Sequence, residues 1–143
     1  MLRLSTKIRY GSRVMILLGL QYPDPLSVRE MSEVEGLSNI YLEQIILPLK
    51  NAGLLRSIRG AGGGFSLIKP PDQIKMSEIV RVLEGSWNLV ECVENENYCE
   101  KSQECATIDL WSRLFKGISE ILENTTLADM IQIHKKKNRK SKQ

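Results

Sequence analysis

Cys92, Cys99 and Cys105 are the only cysteines in the 143-residue chain, and a stretch rich in glutamate (Glu91, Glu94, Glu96, Glu100, Glu104) holds all three. Structural cysteines normally sit singly on apolar faces, so three thiols on one polar segment point to ligation or redox chemistry. Their spacing, Cys-x6-Cys-x5-Cys, lacks the close pairs of a structural zinc site and favours an iron–sulfur cluster wrapped by a loop. A zinc site, a thiol switch and three unligated thiols stay open as alternatives. An odd number of cysteines does not make a closed disulfide framework, which agrees with a reducing compartment.

The elements that must position these thiols lie upstream. Residues 6–20 read as a helix, ended by Pro23 and Pro25. Ser27 and Glu30 form a capping box for a short second helix that Gly36 terminates. Ser38 caps a third helix running to about Ala52. Pro48 lies inside it and predicts a kink, downstream of the first turn. Helix, glycine turn and helix make a helix-turn-helix, whose second helix puts its first turn into the major groove of DNA. The candidate readers are therefore Ser38, Asn39, Tyr41, Glu43 and Gln44. Glutamine pairs bidentately with adenine, and glutamate accepts from the cytosine amino group.

Leu54–Arg59 and Phe65–Ile68 read as strands joined by Gly60-Ala61-Gly62-Gly63-Gly64, a wing with Arg59 and Gly60 at its tip. An arginine on a narrow tip suits the negative potential of an A·T-rich minor groove. The glycines are not a nucleotide-phosphate loop, since no Gly-Lys-Ser/Thr follows and they open no helix. A short helix is expected around Ser77–Glu84. From Ile108 a longer one carries Trp111, Leu114, Phe115, Ile118, Ile121 and Leu122 at helical spacing. That stripe is too apolar for a lone surface helix and predicts a two-fold homodimer, with a palindromic operator in double-stranded DNA. Thr126 and Asp129 cap a last short helix to about Ile133.

Charge divides along the same lines. Residues 1–69 hold 9 Lys/Arg against 5 Asp/Glu (+4), residues 70–134 hold 5 against 12 (−7), and residues 135–143 hold 6 against none (+6). The basic first half suits a polyanion, and the acidic middle would be repelled by one. No apolar run approaches a membrane span, and no small-residue cleavage site follows residues 14–20, so a cytoplasmic protein is expected. One histidine and no nucleophile–base motif make an enzyme unexpected. An iron–sulfur carrier or electron-transfer protein would use the cysteines but not the wing or the reading helix.

Three stretches carry a family resemblance: Leu4-Ser5-Thr6-Lys7-Ile8-Arg9-Tyr10, Leu37-Ser38-Asn39-Ile40-Tyr41-Leu42-Glu43-Gln44 and Arg59-Gly60-Ala61-Gly62-Gly63-Gly64-Phe65. With Leu83-Glu84-Gly85, the three cysteines, Leu110-Trp111 and Thr126-Leu127, the chain resembles the IscR/NsrR superfamily of bacterial winged-helix regulators over residues 2–133. The resemblance implies a homodimeric transcription regulator, in the main a repressor. It implies a cluster on Cys92, Cys99 and Cys105, [2Fe–2S] in preference to [4Fe–4S], that senses iron–sulfur status, redox state or nitric oxide. It places Glu43 and Gln44 on the family's recognition-helix readers and Arg59 on its minor-groove arginine. The chain departs from the family at the fourth ligand: Ile108 stands where one branch has histidine, and Tyr10 where another takes an aspartate from the partner.

The expected architecture is mainly α with a small β-hairpin wing. A winged helix-turn-helix domain covers residues 1–84 and the cysteine loop residues 85–106. The dimerisation helix and short terminal helix cover residues 107–134, followed by a disordered basic tail at 135–143.

Overall fold

The computed structural model, which describes residues 3–85, 90–95 and 97–142, has seven α-helices and one two-stranded sheet among those residues. Helix α1 spans Thr6–Gln21 and starts where the Ser5 hydroxyl accepts from the Ile8 amide at 3.2 Å. Helix α2 (Val28–Glu35) opens on the expected capping box: the Ser27 hydroxyl accepts from the Glu30 amide, and the Glu30 carboxylate from the Ser27 amide. Gly36 ends it at φ 67°, ψ 30°, a left-handed conformation that a side chain would resist. Ser38 caps helix α3 (Asn39–Asn51), which runs through Pro48 as one helix, so the proline does not break the element. It sits in the last turn, far from the residues at the N-terminal end.

Strands β1 (Leu55–Ile58) and β2 (Gly64–Leu67) pair antiparallel, with Leu55 opposite Leu67 and Ile58 opposite Gly64. Leu26 adds a bridge to the outer side of β2, exchanging two backbone hydrogen bonds with Phe65 at 2.8 and 2.9 Å. The adjoining Gly64 lies so close to the Leu26 carbonyl that a Cβ would collide with it. The hairpin is thereby fastened to the segment that leads into α2, which fixes the wing relative to the helix-turn-helix.

Helix α4 (Met76–Glu84) buries Met76, Ile79, Val80 and Leu83 against α1 and α3. The core joins these to Ile8, Val14, Met15 and Leu18 of α1, Met31 of α2, and Leu42, Ile45, Ile46 and Leu49 of α3. Each of these four helices therefore buries one face, as the periodicity requires.

The cysteine segment is less regular. Helix α5 (Glu91–Glu94) is a single turn, and a 3₁₀ turn covers Ser102–Glu104. Residues 86–89 and Glu96, part of the expected loop, lie outside the described residues. Helix α6 (Ala106–Asn124) follows and buries none of its residues, while Leu110, Leu114 and Ile121 stand 54, 39 and 67% exposed. Its end is tied back by Glu123, which reaches Lys75 at 3.2 Å and Arg81 at 3.6 Å. Thr126 and Asp129 then cap helix α7, which packs Leu127 and Ile131 into the core beside α1.

One expectation is corrected here. The terminal helix was expected to stop near Ile133 before a disordered tail, but α7 runs from Leu127 to Lys140. Lysine and arginine are good helix formers, and Lys137, Arg139 and Lys140 in the last turn complement the partial negative charge of a helix C-terminus. High charge prevents packing but not helicity. No helix among the described residues is long and apolar enough to cross a membrane.

Candidate nucleic-acid interface and cysteine site

The first turns of α3 present a continuous exposed face. Ile40, Glu43, Gln44 and Leu47 recur at three- and four-residue spacing, and all four are exposed, Ile40 at 72% and Leu47 at 57%. Asn39 is exposed beside them. Two of the expected readers are otherwise engaged. The Ser38 hydroxyl accepts from the Tyr41 amide at 3.2 Å, so it caps the helix. The Tyr41 ring is half-buried edge-on against Tyr10, with centroids 6.0 Å apart. Arg9 and Arg13 lie over the Tyr10 ring, each guanidinium carbon within 6 Å of its centroid (5.9 and 5.8 Å). Tyr41 thus links the reading helix to α1 and to two cations.

Ile40 and Leu47 were missed by sequence reasoning, which counts large apolar residues as core. The signal was available: Leu42, Ile45, Ile46 and Leu49 already complete the buried face, leaving Ile40 and Leu47 on the opposite one. An exposed branched side chain at that position is suited to a thymine methyl.

Arg59 and Gly60 lie exposed where β1 enters the wing loop, and Gly60 and Gly62 take positive φ (101° and 73°) that keeps the tip narrow. Arg56, three residues back on β1, is also exposed and adds a cation to the same hairpin. Lys69, by contrast, is paired with Glu78 at 3.1 Å.

The three cysteines are unbridged; Cys92 and Cys105 are half-exposed and Cys99 is exposed. Cys92 lines a cleft of about 400 Å³ between α5, the 3₁₀ turn and the start of α6, together with Asn97, Gln103, Ile108, Asp109 and Ser112. Neither Cys99 nor Cys105 is on that lining, and the described residues contain no group of three Cys, His, Asp or Glu gathered around a metal position. Of the two carboxylates nearest Cys105 in sequence, Asp109 lines the cleft and Glu104 does not. Ile108, in the position of the family's histidine, lines it as an apolar wall.

Cys105 stands at the N-cap position of α6, and its Sγ lies 3.1 Å from the Thr107 hydroxyl. That hydroxyl, together with the Ile108 and Thr107 amides, lowers the thiol pKa. The Tyr98 phenol is pushed up, first by its hydrogen bond to the Glu91 carboxylate and in addition by the negative fields of Cys92 and Cys99. The segment gathers thiols and carboxylates, the donor types that hold metal centres.

A helix-turn-helix with a wing fastened to it, followed by three thiols and an apolar helix, matches known proteins along nearly the whole chain. The family model described as "Rrf2: Iron-dependent Transcriptional regulator" matches residues 4–133. The regulator CymR of Bacillus subtilis (strain 168) is 42% identical over 130 residues, covering 90% of this chain and 89% of its own. The solved structure of CymR, described as the global cysteine regulator of B. subtilis, superposes with a TM-score of 0.78 at 41% identity, over 93% of this chain and 98% of that one. IscR of T. potens superposes with a TM-score of 0.75 at 38% identity, over 93% and 88%. Fold, sequence identity and matched length agree, and the chain belongs to the Rrf2 family of transcriptional regulators.

Proposed function

We propose that this regulator is a DNA-binding repressor, active in the cytoplasm, whose hold on its operator is set by an iron–sulfur cluster on Cys92, Cys99 and Cys105. One observation carries the reading: all three thiols lie between the winged helix-turn-helix and the body of α6, the helix that leaves Leu110, Leu114 and Ile121 exposed. The donor chemistry fits such a group, since thiolates are its usual ligands and Asp109 offers an oxygen beside Cys92. When bound, a cluster supplies an oxidisable centre that is lost or altered by redox chemistry. The residues of the chain do the rest. A second copy covers Leu110, Leu114 and Ile121, so that the dimer spaces two α3 helices about one DNA turn apart on a palindromic operator. Glu43 and Gln44 read base edges, Ile40 meets a thymine methyl, and Arg59 enters the flanking minor groove.

Protein purified without oxygen is then coloured and holds iron and sulfide. Cys92→Ala, Cys99→Ala or Cys105→Ala each abolishes or destabilises the absorbance. A colourless preparation that cannot be reconstituted contradicts the cluster.

The similarity to CymR, whose description is that of a cysteine regulator, favours a second reading in which the thiols themselves switch. The Cys105 Sγ held against the Thr107 hydroxyl is the observation on its side. In that case the anaerobic protein is colourless, and mild oxidation alone changes operator affinity.

A further inference from the structure

The chain carries two strong charge runs of opposite sign, and they do not meet within it. Helix α7 ends in Lys135, Lys136, Lys137, Arg139 and Lys140, all exposed and none ion-paired among the described residues. Residues 90–109, around the thiols, hold six Asp/Glu against Lys101 alone. Of these, Glu94, Glu100 and Glu104 are exposed, and no cation among the described residues pairs with them. The acidic run leads into the start of α6, and α7 begins just past its end, so the 19 residues of α6 hold the two about 28 Å apart. Helix α5 packs on α6, whereas α7 packs on α1 and on the 3₁₀ turn at Pro71–Gln73.

A second copy removes that separation. The outer seam of α6 is Leu110, Leu114, Gly117 and Ile121, at spacings of four, three and four. Laid antiparallel on itself, this seam sets Leu110 against Ile121 and Leu114 against Gly117. Nothing lies within 4 Å of the place a Cβ would take on Gly117, so a leucine from outside has room there. A parallel pairing would set Gly117 against Gly117 and leave a void in the seam. Glycine is a poor helix former, and the incoming leucine gives it a purpose in mid-helix. Antiparallel pairing brings the end of the partner's α6, and the α7 that follows, beside the acidic run of the first copy. The cations start at Lys135, eight residues or about 12 Å beyond the start of α7.

The geometry points to a contact between subunits, in which the basic end of α7 in one copy docks on the acidic cysteine segment of the other. The two-fold axis makes it twice. Opposite potentials fix register and orientation in such a contact, and the partner supplies the cations that the cysteine segment lacks in its own chain. This inference rests on the α6 pairing of the proposed function and not on what the thiols bind.

The test is subunit exchange between two full-length variants, read by native mass spectrometry at low salt. One carries Lys135→Glu, Lys136→Glu and Lys137→Glu; the other carries Glu94→Lys, Glu100→Lys and Glu104→Lys. Each homodimer then opposes like charges at both contacts, and the mixed dimer joins opposite charges at both. The mixed dimer should exceed its random share relative to the homodimers by about tenfold or more, and high salt should remove the excess. A control for overall charge replaces the second variant by Asp24→Lys, Asp72→Lys and Glu84→Lys, exposed acids outside the segment, and should give a far smaller excess. Should the segment variant fail to fold, the α7 variant alone must dissociate about tenfold more readily than wild type at low salt. Its net charge of −3 (+3 less 6) equals that of wild type in magnitude, so overall repulsion does not account for the loss. A random mixture, an equal excess with the control, or an unweakened α7 homodimer would each overturn the contact. A wild-type chain that is monomeric would instead refute the α6 pairing, and this contact with it.

Discussion

The winged helix-turn-helix and the segment after it follow opposite rules. Helices α1 to α4 each bury a face, and the wing is fastened by backbone bonds to Leu26. Helix α6 is longer than any of them yet has no fully buried residue, Leu122 being half-buried against the core, and the cysteine segment before it has only single turns. The first region closes a core of its own; the second leaves Leu110, Leu114 and Ile121 exposed on one helix, with three unbridged thiols before it. A reader of DNA must be rigid before it meets its ligand, whereas a controller must hold groups whose pairing depends on something else. Under the proposed function, the first region reads and the second controls.

The sharpest way to break the contrast is to deny α6 its partner. Leu114→Glu combined with Ile121→Glu should leave each monomer folded, because neither side chain is in the core. It should cost operator affinity about a thousandfold or more, toward the non-specific level. Light scattering and anisotropy on an operator selected from random duplexes check both halves. A double variant that stays dimeric would refute the assignment of α6. Next in size is a core change in the reading region. Leu42→Ala, at a fully buried site, should destabilise by about 2–5 kcal/mol in denaturant unfolding. A smaller loss would mean that the first region is looser than its burial implies.

Within the reading region, Arg59→Ala should weaken binding by about 1–3 kcal/mol, most where the flanking minor groove is A·T-rich. Glu43→Ala should change base preference instead, since it removes an anion near phosphates along with cytosine discrimination. Uniform losses across operators for both variants would erase that division of labour.

Much of the first region was legible in the sequence because its signals are local. Ser27 with Glu30, Gly36, Ser38 and the glycines from 60 to 64 each fix a boundary through the conformation or bond their residue type supplies. The core face of α3 and the two exposed apolar residues opposite it, Ile40 and Leu47, went unread, because large apolar side chains are ordinarily taken as core. The engagement of Tyr41 with Tyr10 was not legible, since it depends on how α3 crosses α1. The cysteines were visible as donors and their clustering as a purpose. Their arrangement was not, because it follows from irregular backbone and from groups outside one chain. The tail was misread because charge was taken as disorder, although lysine-rich sequence extends a well-capped helix.

The smallest effects concern that last helix. Thr126→Ala removes a cap and should cost about 1 kcal/mol. The hydroxyl also donates to Asp129 at 2.9 Å, part of the hydrogen bonding that holds this carboxylate below its ordinary pKa. A carboxylate with a depressed folded pKa stabilises above its unfolded pKa, and the gain is lost as pH falls through the folded value. The deficit of Thr126→Ala should therefore shrink in acid. Truncation after His134 should leave the salt dependence of operator binding unchanged. Each phosphate contact made by Lys135, Lys136, Lys137, Arg139, Lys140 or Lys142 would instead flatten it by about 0.9 on removal.

The central claim, that the cysteine segment controls the reading helix, is tested most directly by operator affinity in one oxygen-free titration series. Wild-type protein is compared before and after mild oxidation, beside the triple variant Cys92→Ala, Cys99→Ala, Cys105→Ala. The account predicts a change of about 5–150-fold on oxidation of the wild type and none in the triple variant. The same affinity in all states of the wild type, with the thiols demonstrably altered, would contradict it.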